Sequence, residues 1–373
     1  EISKLQQESG YPYILNIDTV NQANPNDGKI IMSNLCSEIL QTQTPSIIDD
    51  AQNYVEMGTD VSCNLGSTNI GNMMETPDFG KSVRAMVDAL TFVSDSSHIS
   101  AVPSIEKGNR LSHAIGLGAM GLHTFLATHQ IEYGSPEALE FTSVYFMLLN
   151  YWTLVESNNI ARKRGETYHD FDKSTYADGS YFDKYITQSF APQSPRVKEL
   201  FAKIDIPKQA EWKALKEAVM ADGLYNAYRQ AIAPTGSISY INDTSASLHP
   251  LTRLIEERTE KKNGKLYFPA PGLSNETLPY YKSAYDMDMR LVIDTYAAAQ
   301  QHIDQGMALT LFIRSTIPAG IYEWKNEEDQ TTRDLSILRN YAYYKGIKSI
   351  YYVRTFTDNS QEVGSNECES CSI

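Results

Sequence analysis

Apolar positions along this chain change their period several times, and each change predicts a different element. Between 80 and 97, Val83, Met86, Val87, Leu90 and Val93 recur at helical spacing. Ser135-Pro136-Glu137 supplies an N-cap, a proline at the first helical position and an acid in the first turn. A long helix is expected to start there and stop at Gly165. A tyrosine-rich irregular stretch reaches to about 190, and short helices are expected between Lys198 and Asn226. The final third alternates. A helix from Met287 to Gln305 stops at Gly306 and leads into a strand over 307–314. A second helix from Thr331 to Lys345 stops at Gly346 and leads into a strand over 347–355. Strands alternating with helices predict βαβ units and a parallel sheet, hence an α/β fold.

The first third is built of shorter pieces. Residues 11–21 are rich in aromatic and β-branched side chains and read as a strand or a helix end. A turn at Asn26-Asp27-Gly28 precedes a second extended segment over 29–40, and residues 60–70 form a third. Cys36 and Cys63 therefore both fall on extended segments. The run GLGAMG at 116–121 matches a dinucleotide-binding pattern, but residues 109–113 before it make no convincing strand. Glycines that let helices pack closely are the preferred reading. After Thr355 the chain turns polar, and 355–373 is expected to be a mobile tail appended to a body of residues 1–354.

Composition narrows the function classes. With 373 residues, 42% of them hydrophobic, the chain can bury one large core or two ordinary ones. A net charge of −14 argues against a surface that neutralises a nucleic-acid polymer, though not against a nucleotide substrate. No apolar run has the length to span a bilayer and no signal-peptide pattern opens the chain, so a cytoplasmic protein is expected. Four cysteines suit catalysis or redox work better than a disulfide scaffold. The chain opens on Glu1 rather than Met, as expected of a processed product or a piece of something longer.

Five features carry chemistry. In Asn34-Leu35-Cys36-Ser37-Glu38, an extended backbone would point Asn34, Cys36 and Glu38 the same way, setting an amide, a thiol and a carboxylate in one row. On those residues alone a buried structural cysteine is the better explanation. Cys63, in Ser-Cys-Asn-Leu-Gly-Ser, is equally well explained as a small buried hydrophobe. Ala233-Pro234-Thr235-Gly236-Ser237-Ile238-Ser239 combines a glycine with three hydroxyls, which suits a phosphate site or an ordinary polar turn. Tyr351 and Tyr352 are adjacent on a predicted strand, where one ring would face the core and the other outward. A redox relay would need both rings on one path, which a flat strand does not provide. Cys368-Glu369-Ser370-Cys371 has thiol–disulfide exchange spacing, with no second Cys/His pair near it for zinc. Tethered beyond Tyr352, it has a reach of roughly 20–25 Å.

In order along the chain, NLCSE, SCNLGS, NRLSHAIGLGAMGLH, APTGSIS, SIYYVRT and the CESC tail resemble the large, catalytic subunit of class I ribonucleotide reductases. The likeness is nearest to the class Ib type, which lacks a regulatory ATP cone. It implies the C-terminal half of a ten-stranded α/β barrel, with a finger loop near 30–40 at its centre and a flexible redox-active tail. It also implies reduction of ribonucleoside diphosphates by thiyl-radical chemistry. Cys36 would carry the radical, Glu38 would take the proton of the 3′ hydroxyl, and Asn34 would hydrogen-bond the substrate. Residues 34–38 and 234–238 would together hold that substrate, the second set at its diphosphate. Cys63 would be half of a redox-active disulfide. Tyr351 and Tyr352 would pass the radical, and Cys368 and Cys371 would re-reduce the disulfide.

The same resemblance implies partners. A radical-generating small subunit would bear the tyrosyl radical and dimetal centre, no cofactor being bound by this chain. A thioredoxin- or glutaredoxin-like dithiol would be the reductant. The likeness begins near the middle of a usual large subunit, so a complementary N-terminal half is expected to supply the remaining strands and the cysteine that pairs with Cys63. Without it, an open sheet edge and exposed apolar faces are expected. Three alternatives compete. A thiol–disulfide oxidoreductase built on CESC would need a folded domain around the motif. A cobalamin-dependent reductase would have no use for Tyr351-Tyr352. A non-catalytic relative that docks onto the small subunit would be expected to have lost Cys36, Glu38 or the tyrosine pair.

Overall fold

A computed structural model describes residues 1–260, 264–318, 320–322, 324–325 and 329–356. Its strands are β1 (Ile14–Leu15), β2 (Ile47–Ile48), β3 (Tyr54–Glu56), β4 (Leu65–Asn69), β5 (Gly116–Met120), β6 (Ile255–Glu260), β7 (Gly264–Pro269), β8 (Leu311–Arg314), β9 (Ser349–Ile350) and β10 (Val353–Phe356). Three pairs are antiparallel: β1 with β9, β2 with β3, and β6 with β7. The parallel pairs place the site. Leu65 to Asn69 of β4 run beside Gly116 to Met120 of β5. On the other side of β5, Leu117 donates its N–H to the Arg229 carbonyl (2.8 Å) and accepts from Ala231 (3.3 Å). Ile232 then donates to the Gly306 carbonyl (3.1 Å) and accepts from Ala308 (2.9 Å). Finally β8 pairs with β10 in parallel register. The result is an open row of five segments that no pairing closes among the described residues.

The glycines of GLGAMG are strand residues, contrary to the helix-packing reading. β5 is buried along its whole length. A side chain on Gly118 would run into the Ala231 carbonyl oxygen and come within 3.3 Å of the Ile232 Cα, while one on Gly116 would stand 2.6 Å from Leu65 Cδ2. Glycine here admits the neighbouring segments at close range, one of the standard reasons for glycine inside a strand.

The long helix is Pro136–Arg164. Ser135 caps it by accepting from the Ala138 N–H (3.2 Å), and Gly165 ends it in a left-handed conformation. Apolar residues occupy all its faces through the middle turns, so it is a core helix. Helices Phe79–Ser96 and Met289–Gln300 pack against it. The latter stops five residues earlier than its apolar pattern predicts. Lys348 intervenes there, donating to the carbonyls of Ile303 (3.1 Å), Asp304 (2.7 Å) and Gln305 (2.9 Å) and drawing 303–305 into a loop.

Between β8 and β10 the helix Thr332–Tyr344 makes the expected βαβ unit. The predicted strand over 347–355 is broken in two at Tyr351-Tyr352, because β9 pairs antiparallel with β1 and β10 parallel with β8. β10 continues through Thr355 to Phe356, and the CESC motif lies outside the described residues.

Candidate active site

Residues 34–38 form a turn, not the extended row that alternation predicts. The Ser37 N–H reaches back to the Asn34 carbonyl (3.1 Å), and Ser37 takes a positive φ of 64°. Leu35 is pushed outward and is 54% exposed, whereas Cys36, Ser37 and Glu38 are all buried. The turn is pinned from two sides. The Ser349 hydroxyl donates to the Ser37 carbonyl (2.8 Å) and the Gly306 N–H to the Glu38 carbonyl (2.8 Å). Asn34 also closes the turn, its side-chain oxygen accepting from the Ile39 N–H (3.0 Å). Its amide nitrogen points to Cys63 Sγ (3.3 Å). The amide and both thiol-bearing segments are thus joined through Asn34, although Cys63 precedes β4 rather than lying on it.

Glu38 lies in the interior, 1% exposed, and its Oε2 has no hydrogen-bond partner among the described residues. Burial raises its carboxyl from the ordinary range to about 7, against a smaller lowering by hydrogen bonds from its own backbone and from Asn34. A carboxyl poised there can exchange a proton with a bound hydroxyl near neutral pH.

The break at 351–352 removes the geometric objection to a tyrosine path. The two rings lie 4.1 Å apart at 55°, close enough to touch. The Cys36 thiol stands 3.6 Å from the Tyr351 hydroxyl. Tyr11 and Tyr13 complete the group. Tyr13 packs on Tyr351 (4.9 Å) and Tyr352 (5.2 Å), and the Tyr11 and Tyr352 hydroxyls are hydrogen-bonded at 3.1 Å. Burial first, then the contact with Cys36, holds the Tyr351 phenol far above its ordinary range. It therefore stays protonated across the physiological pH range.

Pro234 to Ile238 follow directly on the segment that pairs with Gly306. The loop therefore sits at the carboxyl end of a parallel segment, where α/β sheets place ligands. Thr235 takes a φ of 53°, and its hydroxyl oxygen accepts from the Ser247 N–H (2.7 Å). Gly236 lines a cleft of about 960 Å³ together with Tyr240, His249, Arg253 and Arg354. The Asn34–Glu38 turn and Cys63 do not line that cleft. Its link to the turn runs through Gly306, bonded to Ile232 on one side and Glu38 on the other.

The family model for the ribonucleotide reductase barrel domain matches residues 1–353. This chain belongs to the ribonucleotide reductase family. It is 44% identical over 375 residues to the ribonucleoside-diphosphate reductase subunit alpha of Bacillus subtilis (strain 168), covering all of this chain and 51% of that protein. The subunit alpha of Mycoplasma pneumoniae is 43% identical, again over all of this chain and 51% of the relative. The NrdEB subunit alpha of Bacillus subtilis is 46% identical over 92% of this chain and 30% of its own length. The chain spans about half the length of the first two relatives.

In this ribonucleotide reductase family member, several residues that hold the site escaped sequence reasoning. The reading of residues 11–21 as a strand or a helix end gives Tyr11 and Tyr13 no place beside Tyr351 and Tyr352. Arg229 and Asp304 form a buried ion pair, and buried Lys348 is held by the backbone carbonyls of residues 303–305. The Asp304 carboxylate accepts from the N–H groups of Arg229 and Gln230 (both 2.9 Å), and the Arg229 guanidinium lies 3.1 Å from it. Burial pulls the Lys348 ammonium down to about 8. A charge inside an apolar run, as in AYRQAIA and IKSI, was the signal available, since charges are buried only when they are paired.

Proposed function

We propose that this chain carries the catalytic centre of a ribonucleoside-diphosphate reductase, converting ribonucleoside diphosphates to 2′-deoxyribonucleoside diphosphates by thiyl-radical chemistry. The observation that carries the reading is the buried Cys36 thiol 3.6 Å from the Tyr351 hydroxyl, with the Glu38 carboxyl on the same turn. Cys36 as a thiyl radical takes the 3′ hydrogen of the sugar, and Glu38 takes the proton of the 3′ hydroxyl. The 2′ hydroxyl leaves as water. Cys63 and a partner cysteine give two electrons and become a disulfide, and the Cys36 hydrogen is returned to C3′. The net change is one substrate and one dithiol to one deoxynucleotide, one disulfide and one water. Asn34 orients the sugar and residues 234–238 hold the diphosphate. Cys368 and Cys371 re-reduce the disulfide, drawing on a thioredoxin- or glutaredoxin-like dithiol.

On this reading the open row of five segments is half of a ten-stranded barrel, with the 34–38 turn as the tip of its central finger loop. A complementary N-terminal half supplies the other strands and the partner cysteine. Exposed apolar side chains on β2 and β3 (Ile47, Ile48, Val55) and on helix Phe79–Ser96 (Phe92, Val93) support a missing cover. A small subunit with a tyrosyl radical and dimetal centre supplies the oxidant, and the enzyme works in the cytoplasm.

The test is cytidine diphosphate reduction with a tyrosyl-radical small subunit and a dithiol reductant, with and without an added N-terminal half. Activity that needs the added half and is lost in Cys36→Ser supports the reading. No activity from folded, associated protein in either mixture would replace it with a docking relative that binds the small subunit without catalysis.

A further inference from the structure

Lys348 is 3% exposed, yet its side chain ends in a charge. The ammonium has three N–H donors, and loop 303–305 turns three carbonyls to it, at 3.1, 2.7 and 2.9 Å. Donors and acceptors match one to one. The loop follows the C-terminal end of helix Met289–Gln300, where carbonyls lack helical partners and the helix dipole favours a cation. The Gln300 amide also reaches the Gln305 carbonyl (3.0 Å) and that of Ile303 (3.4 Å), as a neutral second donor. Without the ammonium, carbonyls gathered at one buried point would bear the cost of unpaired acceptors.

What this loop holds is the Asn34–Glu38 turn. Its next residue, Gly306, donates its N–H to the Glu38 carbonyl (2.8 Å). Gln305 reaches both ways: its side-chain oxygen accepts from the Gln41 amide (2.9 Å), and its own amide donates to the Ile115 carbonyl just before β5 (2.9 Å). The residue after Lys348 acts on the turn as well, the Ser349 hydroxyl donating to the Ser37 carbonyl (2.8 Å). Ser37, Glu38 and Gln41 are thus tied to a frame of two strips, 303–306 and 348–349. The Lys348 ammonium joins the strips.

Resting on the reductase reading, we propose that Lys348 is a positioning residue of the reaction centre: its ammonium gathers 303–305 and, through Gly306 and Gln305, sets where Cys36 and Glu38 meet the sugar. It touches no reacting atom. Without the charge the three carbonyls move apart, Gly306 shifts with them and the turn follows. Glu38 then loses part of the burial that raises its carboxyl. Loop 234–238 keeps supports of its own, the Ala308 N–H on the Ile232 carbonyl (2.9 Å) and the Ser247 N–H on the Thr235 hydroxyl (2.7 Å). Loss of Lys348 therefore reaches the chemical step more than the hold on the diphosphate.

The experiment uses the complete complex of both halves of the large subunit with the radical-bearing small subunit. Lys348→Met, similar in length and uncharged, is expected to lower kcat for cytidine diphosphate by about 100-fold, the cost of misplacing a reacting group by about 1 Å, with KM within about threefold. The protonated-carboxyl infrared band of Glu38, lost near pH 7 in wild type, should be lost at a lower pH in the variant. Leu154→Ala, a core substitution in helix Pro136–Arg164, controls for lost stability alone and should leave the band where it is. Lys348→Ala opens room at the same carbonyls, so ammonium should recover turnover by about tenfold, the worth of one charge-assisted hydrogen bond. Tetramethylammonium, which has no N–H to donate, should recover none. The alanine protein can be folded in ammonium and then exchanged, which covers a methionine variant that does not fold. Turnover of Lys348→Met within about threefold of wild type, far less than the expected loss, with the Glu38 band unmoved, overturns the proposal and leaves the reductase reading standing. Recovery of Lys348→Ala by neither cation, or by both alike, does the same. A wild-type complex that reduces no substrate overturns the reductase reading and this proposal with it.

Discussion

Glu38→Gln separates the burial of this carboxyl from everything else in the site. The folded protein raises Glu38 from 4.5 to about 7. At about 1.4 kcal/mol per unit, that difference is worth about 3 kcal/mol between the protonation states. The sign follows from which state binds the proton more tightly. Between pH 4.5 and 7 the folded state keeps the Glu38 proton while the unfolded chain releases it, so stability falls as pH rises. Below 4.5 both states are protonated and nothing is lost. Above 7 both are ionised and the full cost of a buried carboxylate is present. Glutamine has nearly the same shape and no titration. Its amide carries its own penalty at the Oε2 position, which has no partner, but that penalty does not depend on pH.

Equilibrium urea unfolding of wild type and Glu38→Gln from pH 4.5 to 8 therefore isolates the effect. The stability of the variant relative to wild type should climb by about 3 kcal/mol across that range. Infrared difference spectra should show a protonated-carboxyl stretch that disappears near pH 7 in wild type and is absent in the variant. On the proposed reading, in which Glu38 takes a substrate proton as carboxylate, reductase activity of the complex completed with the other half and the small subunit should rise through the same pH range. A difference in stability that stays flat with pH, together with a carboxyl band lost near 4.5, would refute the reasoning from burial.

Two further substitutions test the scaffold. A side chain on Gly306 would stand 2.8 Å from the Ser37 carbonyl oxygen and 3.1 Å from that of Glu38, so Gly306→Ala must push the turn away from its anchor. Displacements of about 1 Å in a reacting group cost on the order of 100-fold, so on the proposed reading turnover of the completed complex should fall by that much with folding retained, read as initial rate alongside circular dichroism. Gly118→Ala drives a methyl into the Ala231 carbonyl and should cost about 3 kcal/mol in thermal or urea unfolding. A loss below about 1 kcal/mol would mean that β5 and residues 229–232 are not held at this close range.

What could be read in the chain divides by the range of the interaction. Local signals carried the helices: Ser135 and Gly165 bound one as expected, and the βαβ unit from β8 to β10 follows the alternation of periods. The strand role of the glycines in GLGAMG is not legible locally, because what Gly118 admits, Ala231 and Ile232, lies more than a hundred residues away. Tyr11 and Tyr352 are 341 residues apart, and no periodicity announces that their hydroxyls meet. In the Asn34–Glu38 motif the expected strand geometry gives way to a turn. A flat strand would have faced Leu35 and Ser37 together, away from the thiol. The turn sends Leu35 to the surface and Ser37 into the interior, where the Ser37 carbonyl is needed to receive the Ser349 hydroxyl. The break that splits the last predicted strand follows from a similar competition, between the antiparallel partner β1 and the parallel partner β8. A uniform strand would have turned the two phenols to opposite faces. The departures from ideal strand geometry at Ser37 and at 351–352 are what set a thiol against a row of phenols, with a buried carboxyl on the same turn.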